Sequence, residues 1–255
     1  VMVALRARYW RWIAAAVATS ISGSSCGTSA ALKPLGYWSA MTANPSAAAL
    51  TATIDLDALA HNIGVLRETS GTGVIAVVKA DAYGHGAVPV ARAALAAGAE
   101  ELGVAHVTEA LALRQAGIDA HITSWLHTPS TDFAAAVAAD IDIAVSSPRQ
   151  LAAVVDAARE AGITATATVK VDTGLNRSGV AVDEWDSMAV ALAKAHAEES
   201  IMLRAIMTHL VRGDEPDHPL NSQQAERLDD AAADLARLGA RAGAREIGPV
   251  APVLM

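Results

Sequence analysis

From Thr51 to Leu238, short apolar runs of strand composition alternate with stretches in which apolar residues recur every three or four positions. No other feature constrains the fold as much, because strand, helix and strand in steady succession call for parallel strands joined by right-handed crossovers. Thr53-Ile54-Asp55-Leu56-Asp57 alternates as a strand, and Leu59, Ile63 and Leu66 mark a helix that Gly71 stops. Strands are then expected at Val74 to Val78, Leu102 to Ala105, Ile122 to Leu126, Ile141 to Val145, Thr164 to Val171 and Met202 to Met207. Helices are expected at Pro89 to Ala97, Thr108 to Gly117, Thr131 to Ala138, Pro148 to Gly162, Asp183 to Ala197 and Asn221 to Leu238. Ser147-Pro148-Arg149-Gln150 has the signature of a helix start: an N-cap serine, a proline at the first helical position and a glutamine three residues on. The pattern reads as six complete βα units of an α/β protein. A doubly wound sheet would carry G-x-G-x-x-G after its first strand, and none is present.

Composition narrows the partners. With 255 residues, 53% of them hydrophobic, the chain can bury a substantial core, and a (β/α)8 barrel needs about this length. A formal charge of −8 argues against nucleic acid and anionic membrane as partners, since both need clustered Lys and Arg. No stretch reaches the roughly 18 to 20 apolar residues that span a bilayer. A single cysteine, Cys26, excludes an internal disulfide framework and a thiolate zinc site. The expected ligand is small.

The stretch with the densest chemical content is Val77-Val78-Lys79-Ala80-Asp81-Ala82-Tyr83-Gly84-His85-Gly86. It delivers one lysine at the C-terminal end of a strand, where parallel α/β folds gather their chemistry. Desolvation there disfavours the ammonium form and frees the amine as nucleophile or proton carrier. Taken alone, Lys79 reads equally as a snorkelling lysine that caps a core strand.

The ten-residue string resembles the pyridoxal-phosphate lysine motif of the alanine racemase family. The resemblance implies an N-terminal TIM-type barrel domain, here incomplete, whose lysine joins pyridoxal 5'-phosphate covalently and serves as one of two catalytic bases. Lys79 takes that role by resemblance, and Tyr83 contacts the cofactor phosphate. Lys170-Val171-Asp172-Thr173-Gly174-Leu175-Asn176-Arg177 is similar to the family segment whose arginine donates to the cofactor's phenolic oxygen. Arg177 is thereby a cofactor ligand, and Lys170, often carbamylated in the family, props it; a lysine paired with Asp172 is the alternative. Met207-Thr208-His209 is similar to the family's sixth-strand T-H-F, with Leu210 in place of phenylalanine. In the family that histidine lies by the pyridine ring and bonds the arginine facing the ring nitrogen. Ser124-Trp125-Leu126-His127 is similar to the third strand, whose aromatic faces the cofactor; Trp125 as a core residue is the alternative. Glu101 to Ala105 with Glu109 to Arg114 resembles the second βα unit.

The resemblance covers roughly Thr51 to Gly239. The family continues with a Ser-Asn-Ser phosphate strand, an arginine at the pyridine nitrogen and a β domain bearing the tyrosine that acts as second base. Here Arg241 to Pro249 departs from that pattern, so residues 241–255 read as an aberrant tail and the chain as an incomplete form. Residues 1–50 read as an unmatched leader: an upstream extension with Met41 as natural start and a cytoplasmic protein, or, in the alternative, a poor secretory signal on an exported one. The function implied is interconversion of L- and D-alanine, which supplies peptidoglycan, by a family that is homodimeric. The alternative is a single-domain pyridoxal-phosphate homeostasis protein. Six strands of a barrel would leave two edges unpaired and open to association.

Overall fold

The structure, a computed structural model, describes residues 2–6, 53–215 and 217–250. The readings of Cys26, Met41 and the signal-like pattern fall outside the described residues. Helix α1 (Leu56–Ser70) begins inside the stretch that alternates as a first strand and takes its last two residues, Leu56 and Asp57, while residues 53–55 form no strand. The reason is local: Asp55 Oδ1 accepts from the backbone N–H groups of Asp57 and Ala58 at 3.0 and 2.9 Å, an N-cap that starts a helix where a strand is expected. Gly71 ends it in the left-handed conformation. Leu59, Ile63 and Leu66 are buried, each stabilising the fold by about 2 kcal/mol on area grounds.

Six βα units then run in order: β2 (Val74–Val77) with α2 (Ala87–Ala96), β3 (Glu101–Val104) with α3 (Val107–Gln115), β4 (Ile122–Ser124) with α4 (Phe133–Ala138), β5 (Asp142–Val145) with α5 (Pro148–Ala161), β6 (Ala165–Lys170) with α6 (Trp185–Ala197), and β7 (Ile201–His209) with α7 (Pro219–Arg237). Strands β2 to β7 pair in parallel, each with the next. The expected start of α5 forms, with Ser147 Oγ accepting from the Gln150 backbone N–H while the Gln150 side-chain oxygen, Oε1, accepts from Ser146 N–H at 2.8 Å.

The expected open edges do not occur. Strand β8 (Ala244–Val250) pairs in parallel with β7, and β1 (Met2–Arg6) lies antiparallel between β8 and β2, so the eight strands form a closed barrel. Both closing strands come from stretches in which the sequence pattern shows no element. Closure removes the unpaired backbone groups that an open sheet presents.

Alternation along the strands divides their side chains into two sets. Val74, Ala76, Leu102, Ile122, Ile143 and Val169 join the apolar layer under the helices. The interior carries charge: Arg204 on β7 pairs with Glu101 of β3, with Asp142 of β5 at 3.3 Å and with Glu246 of β8 at 2.7 Å. The partners on β3 and β5 lie on strands that are not neighbours of β7, so those bonds have to cross the lumen. A bulge makes them possible, because Ala167 and Thr168 oppose Leu203 and Ala205 and leave Arg204 as the extra residue. Thr123 and Thr168 hydroxyls donate to Asp142 Oδ2 at 2.9 and 2.7 Å. Among the described residues no helix is long and apolar enough to cross a membrane.

Candidate active site

The C-terminal ends of β2, β4, β6 and β7 bring Lys79, Trp125, Lys170 and His209 to one mouth of the barrel, and the loop after β6 adds Arg177. Lys79 is half-buried and begins a turn, Lys79–Gly84, that is helical but left-handed, with Ala80, Asp81, Ala82 and Tyr83 at φ between 52 and 58°. Four consecutive non-glycine residues in this region cost roughly 1 kcal/mol or more each. Local bonds hold the turn: Ala82 N–H donates to Val78 O at 2.9 Å, Gly86 N–H to Asp81 O at 2.9 Å, and Ala87 N–H to Asp81 Oδ1 at 2.6 Å. The turn swings the Tyr83 ring back beneath Lys79, whose Nζ lies 5.8 Å from the ring centroid. Tyr83 is 42% exposed, and burial of the rest raises its phenol pKa, so the hydroxyl stays protonated.

Arg177 is carried on a loop that folds back on itself. Asp172 Oδ1 accepts from Gly174 and Asn176 N–H, both at 3.0 Å, and Val180 N–H donates to Lys170 O at 2.8 Å. Gly179 makes the return possible: at φ 129° its Cα lies so close to the Asp172 backbone that a Cβ would meet it at 2.6 Å. Arg177 then donates to His209 Nε2 at 3.1 Å. This requires Nε2 to be the unprotonated nitrogen. Burial, then Arg177, Lys170 and Lys79, push the His209 pKa down to about 4. The imidazole is therefore neutral at pH 7.

The desolvated lysine of the site is Lys170, not Lys79. Lys170 is 3% exposed and its Nζ donates to Ser178 Oγ at 2.6 Å. Burial and the charge of Arg177 lower its pKa to about 8, with Asp172 opposing and Lys79 adding to the fall. Trp125 lies across Gly103 of the neighbouring β3, where any Cβ would overlap its ring.

Several residues that the sequence reading passed over support these groups. Gln224 on α7 is buried; its amide donates to Thr173 Oγ1 at 3.0 Å and to His209 O at 3.1 Å, joining the Arg177 loop to the end of β7. Thr208 Oγ1 lies 2.7 Å from Thr173 Oγ1 and donates to Val171 O. A glutamine in the first turns of a helix that ought to carry apolar residues on its core face was the available signal. Behind this network lies a cavity of about 740 Å³ whose lining includes Asp172, Asp183, Trp185, Arg227 and Asp230.

The family described as "Alanine racemase, N-terminal domain" matches residues 54–247 of this chain. The chain belongs to the alanine racemase family. It is 57% identical over 187 residues to an alanine racemase of Mycolicibacterium smegmatis, which covers 73% of this chain and 48% of the relative. It is 54% identical over 178 residues to that of Mycobacterium tuberculosis, covering 69% and 46%. Among solved structures, the alanine racemase of D-cycloserine-producing Streptomyces lavendulae superposes with a TM-score of 0.74 at 42% identity, over 76% of this chain and 51% of that one. The chain thus spans about half the length of the alanine racemases it matches.

Proposed function

We propose that this chain is the cofactor-binding half of an alanine racemase, with Lys79 as the residue that holds pyridoxal 5'-phosphate covalently. The observation that carries the reading is a gathering of cations at a single mouth: Arg177 and Lys79 both bear on buried Lys170, and all three bear on His209, which stays neutral among them, while Asp172 opposes the fall at Lys170. Such a cluster suits a dianionic ligand. An amine, a phenol, a guanidinium and a neutral imidazole are also the donor set that an anionic aromatic aldehyde phosphate requires. The cofactor, when bound, supplies an electron sink for a carbanion at the amino acid's Cα.

The chain's own groups do the rest. Lys79 Nζ is the point of attachment and carries the α-proton on its face of the substrate. Tyr83 O–H donates to the phosphate. Arg177 binds the phenolic oxygen, aimed by His209 Nε2, and Lys170 on Ser178 keeps a partly neutral amine beneath it. Trp125 excludes water from the adjoining wall. The substrate is alanine, the assembly a homodimer and the compartment the cytoplasm, as the family relationship suggests. Borohydride reduction of the chain mixed with pyridoxal phosphate, followed by peptide mapping, tests the assignment. Label is expected on Lys79, and label on Lys170 instead overturns it.

A further inference from the structure

The left-handed turn that carries Lys79 is tied to the rest of the barrel by a residue on another βα unit. Glu109, in the first turn of α3, accepts the N–H of Ala80 on Oε1 at 2.6 Å. Its other oxygen, Oε2, accepts the N–H groups of Ala105 and His106 at 2.8 and 2.9 Å. One carboxylate therefore clamps the peptide that immediately follows Lys79 to the C-terminal end of β3. The Ala80 N–H belongs to the Lys79–Ala80 peptide, whose plane sets the direction in which the Lys79 side chain leaves the backbone. That plane is strained, since Ala80 sits at φ 52° without the freedom of glycine. The later part of the turn has its own ties in Asp81 and His85, but the remaining described bond to the Ala80 N–H is the one from Glu109.

We infer that Glu109 is a positioning residue for Lys79: it holds the strained Lys79–Ala80 peptide so that Nζ points into the barrel mouth. The inference rests on the role proposed for Lys79. Its chemistry is specific to a carboxylate, because three N–H donors converge on two oxygens and each oxygen has to accept. An amide has one acceptor. Glu109→Gln is expected to turn its oxygen toward Ala105 and His106, where two donors wait, and to present its own NH2 to Ala80 N–H. The helix start survives in that variant while the clamp on Lys79 is lost.

The test compares the parent chain with Glu109→Gln in two readouts. Circular dichroism and thermal melting report the fold, and borohydride trapping with pyridoxal phosphate at limiting concentration reports the rate at which Lys79 is labelled. The expected result is a folded variant whose Lys79 labelling slows by at least about tenfold, the step that one charge-assisted hydrogen bond commonly carries. Equal labelling rates overturn the inference. Failure to label Lys79 in the parent overturns the proposed function instead, so the two are told apart. Should the variant not fold, amide hydrogen exchange in the parent decides: the exposed Ala80 N–H is expected to exchange slowly, and exchange at the rate of a free peptide overturns the clamp.

Discussion

The guanidinium of Arg177 donates to His209 Nε2 at 3.1 Å and so fastens the loop after β6 to the end of β7. The bond fixes a protonation state as well as a position. A cationic donor cannot share a hydrogen bond with a protonated nitrogen, so His209 holds its own proton on Nδ1. Its pKa of about 4, lowered first by burial and then by Arg177, agrees with that geometry. The resemblance leads one to expect this histidine beside an arginine that faces a pyridine nitrogen; among the described residues its partner is Arg177. The ring resonances of His209 are expected to titrate below pH 5. A midpoint near 6.5 in the folded chain would show that the Arg177 bond does not persist in solution.

Arg177 is itself exposed, held by its loop and by His209. If its guanidinium bonds the charged phenolic oxygen directly, Arg177→Ala removes a charge-assisted hydrogen bond and weakens pyridoxal phosphate binding by about 1.5 to 3 kcal/mol, roughly ten- to a hundredfold. Equilibrium titration of cofactor absorbance measures this. Unchanged affinity and an unchanged spectrum would remove Arg177 from the cofactor's contacts.

What the sequence discloses divides along a physical line. The six βα units and the gathering of Lys79, Lys170, Arg177 and His209 at one mouth are legible because each depends on a contiguous string whose strand delivers its last residue to the same end of the sheet. The left-handed turn is not legible. Ala80-Asp81-Ala82-Tyr83 contains no glycine, and its conformation is set by bonds to Asp81, His85 and Glu109 that form only in the folded chain. Gln224, Gly103 and Gly179 escape for the same reason, since each acts on a partner far away in sequence or on backbone brought close by a loop. Asp55 was within reach, as an aspartate three residues ahead of Ala58 in front of a helical face is an N-cap. Strands β1 and β8 pair across more than two hundred residues of sequence, a relationship that local composition does not encode.

The charged interior predicts how stability follows pH. Glu246 is buried beside Arg204, Asp142 and Glu101, with the His121 ring 3.4 Å from Asp142 Oδ2. Burial raises the Glu246 pKa from 4.5 to about 7, against the opposing pull of Arg204. A carboxyl whose folded pKa lies above its unfolded value contributes stability below the unfolded pKa and loses it as pH rises through the folded one. Between pH 4 and pH 8 this group therefore costs the fold about 3 kcal/mol. Glu246→Gln retains an acceptor for Arg204 and does not ionise. The stability difference between Glu246→Gln and the parent, from urea unfolding, is expected to move in favour of the variant by that amount across the range. A difference that stays constant with pH refutes the shifted carboxyl.

Racemisation needs a proton carrier on each face of the planar carbanion, and the described residues at this mouth provide one. Lys79 is the candidate on its face. Among the described residues the only tyrosine is Tyr83, whose ring lies against Lys79 on the same turn and whose phenol pKa is raised, which makes it a poor base on the opposite side. His209 does not fill the gap: with a pKa of about 4 and Nε2 engaged by Arg177 it is both a weak base and an occupied one. Lys170 has a usable pKa of about 8, but it is 3% exposed and bonded to Ser178. A single carrier removes the α-proton and returns a proton to the face it came from. The 255-residue chain, given pyridoxal phosphate and L-alanine in deuterium oxide, is therefore expected to exchange the α-proton while keeping the L configuration. With a single general base at work, D-alanine formation is expected to be about a hundred- to ten-thousandfold slower than with two. Proton NMR of the α position and a D-alanine assay, run on the same samples, separate the two rates. D-alanine appearing as fast as deuterium enters would mean that a second carrier operates, and Lys170→Arg, which keeps the charge and abolishes the titration, would then show whether it is Lys170.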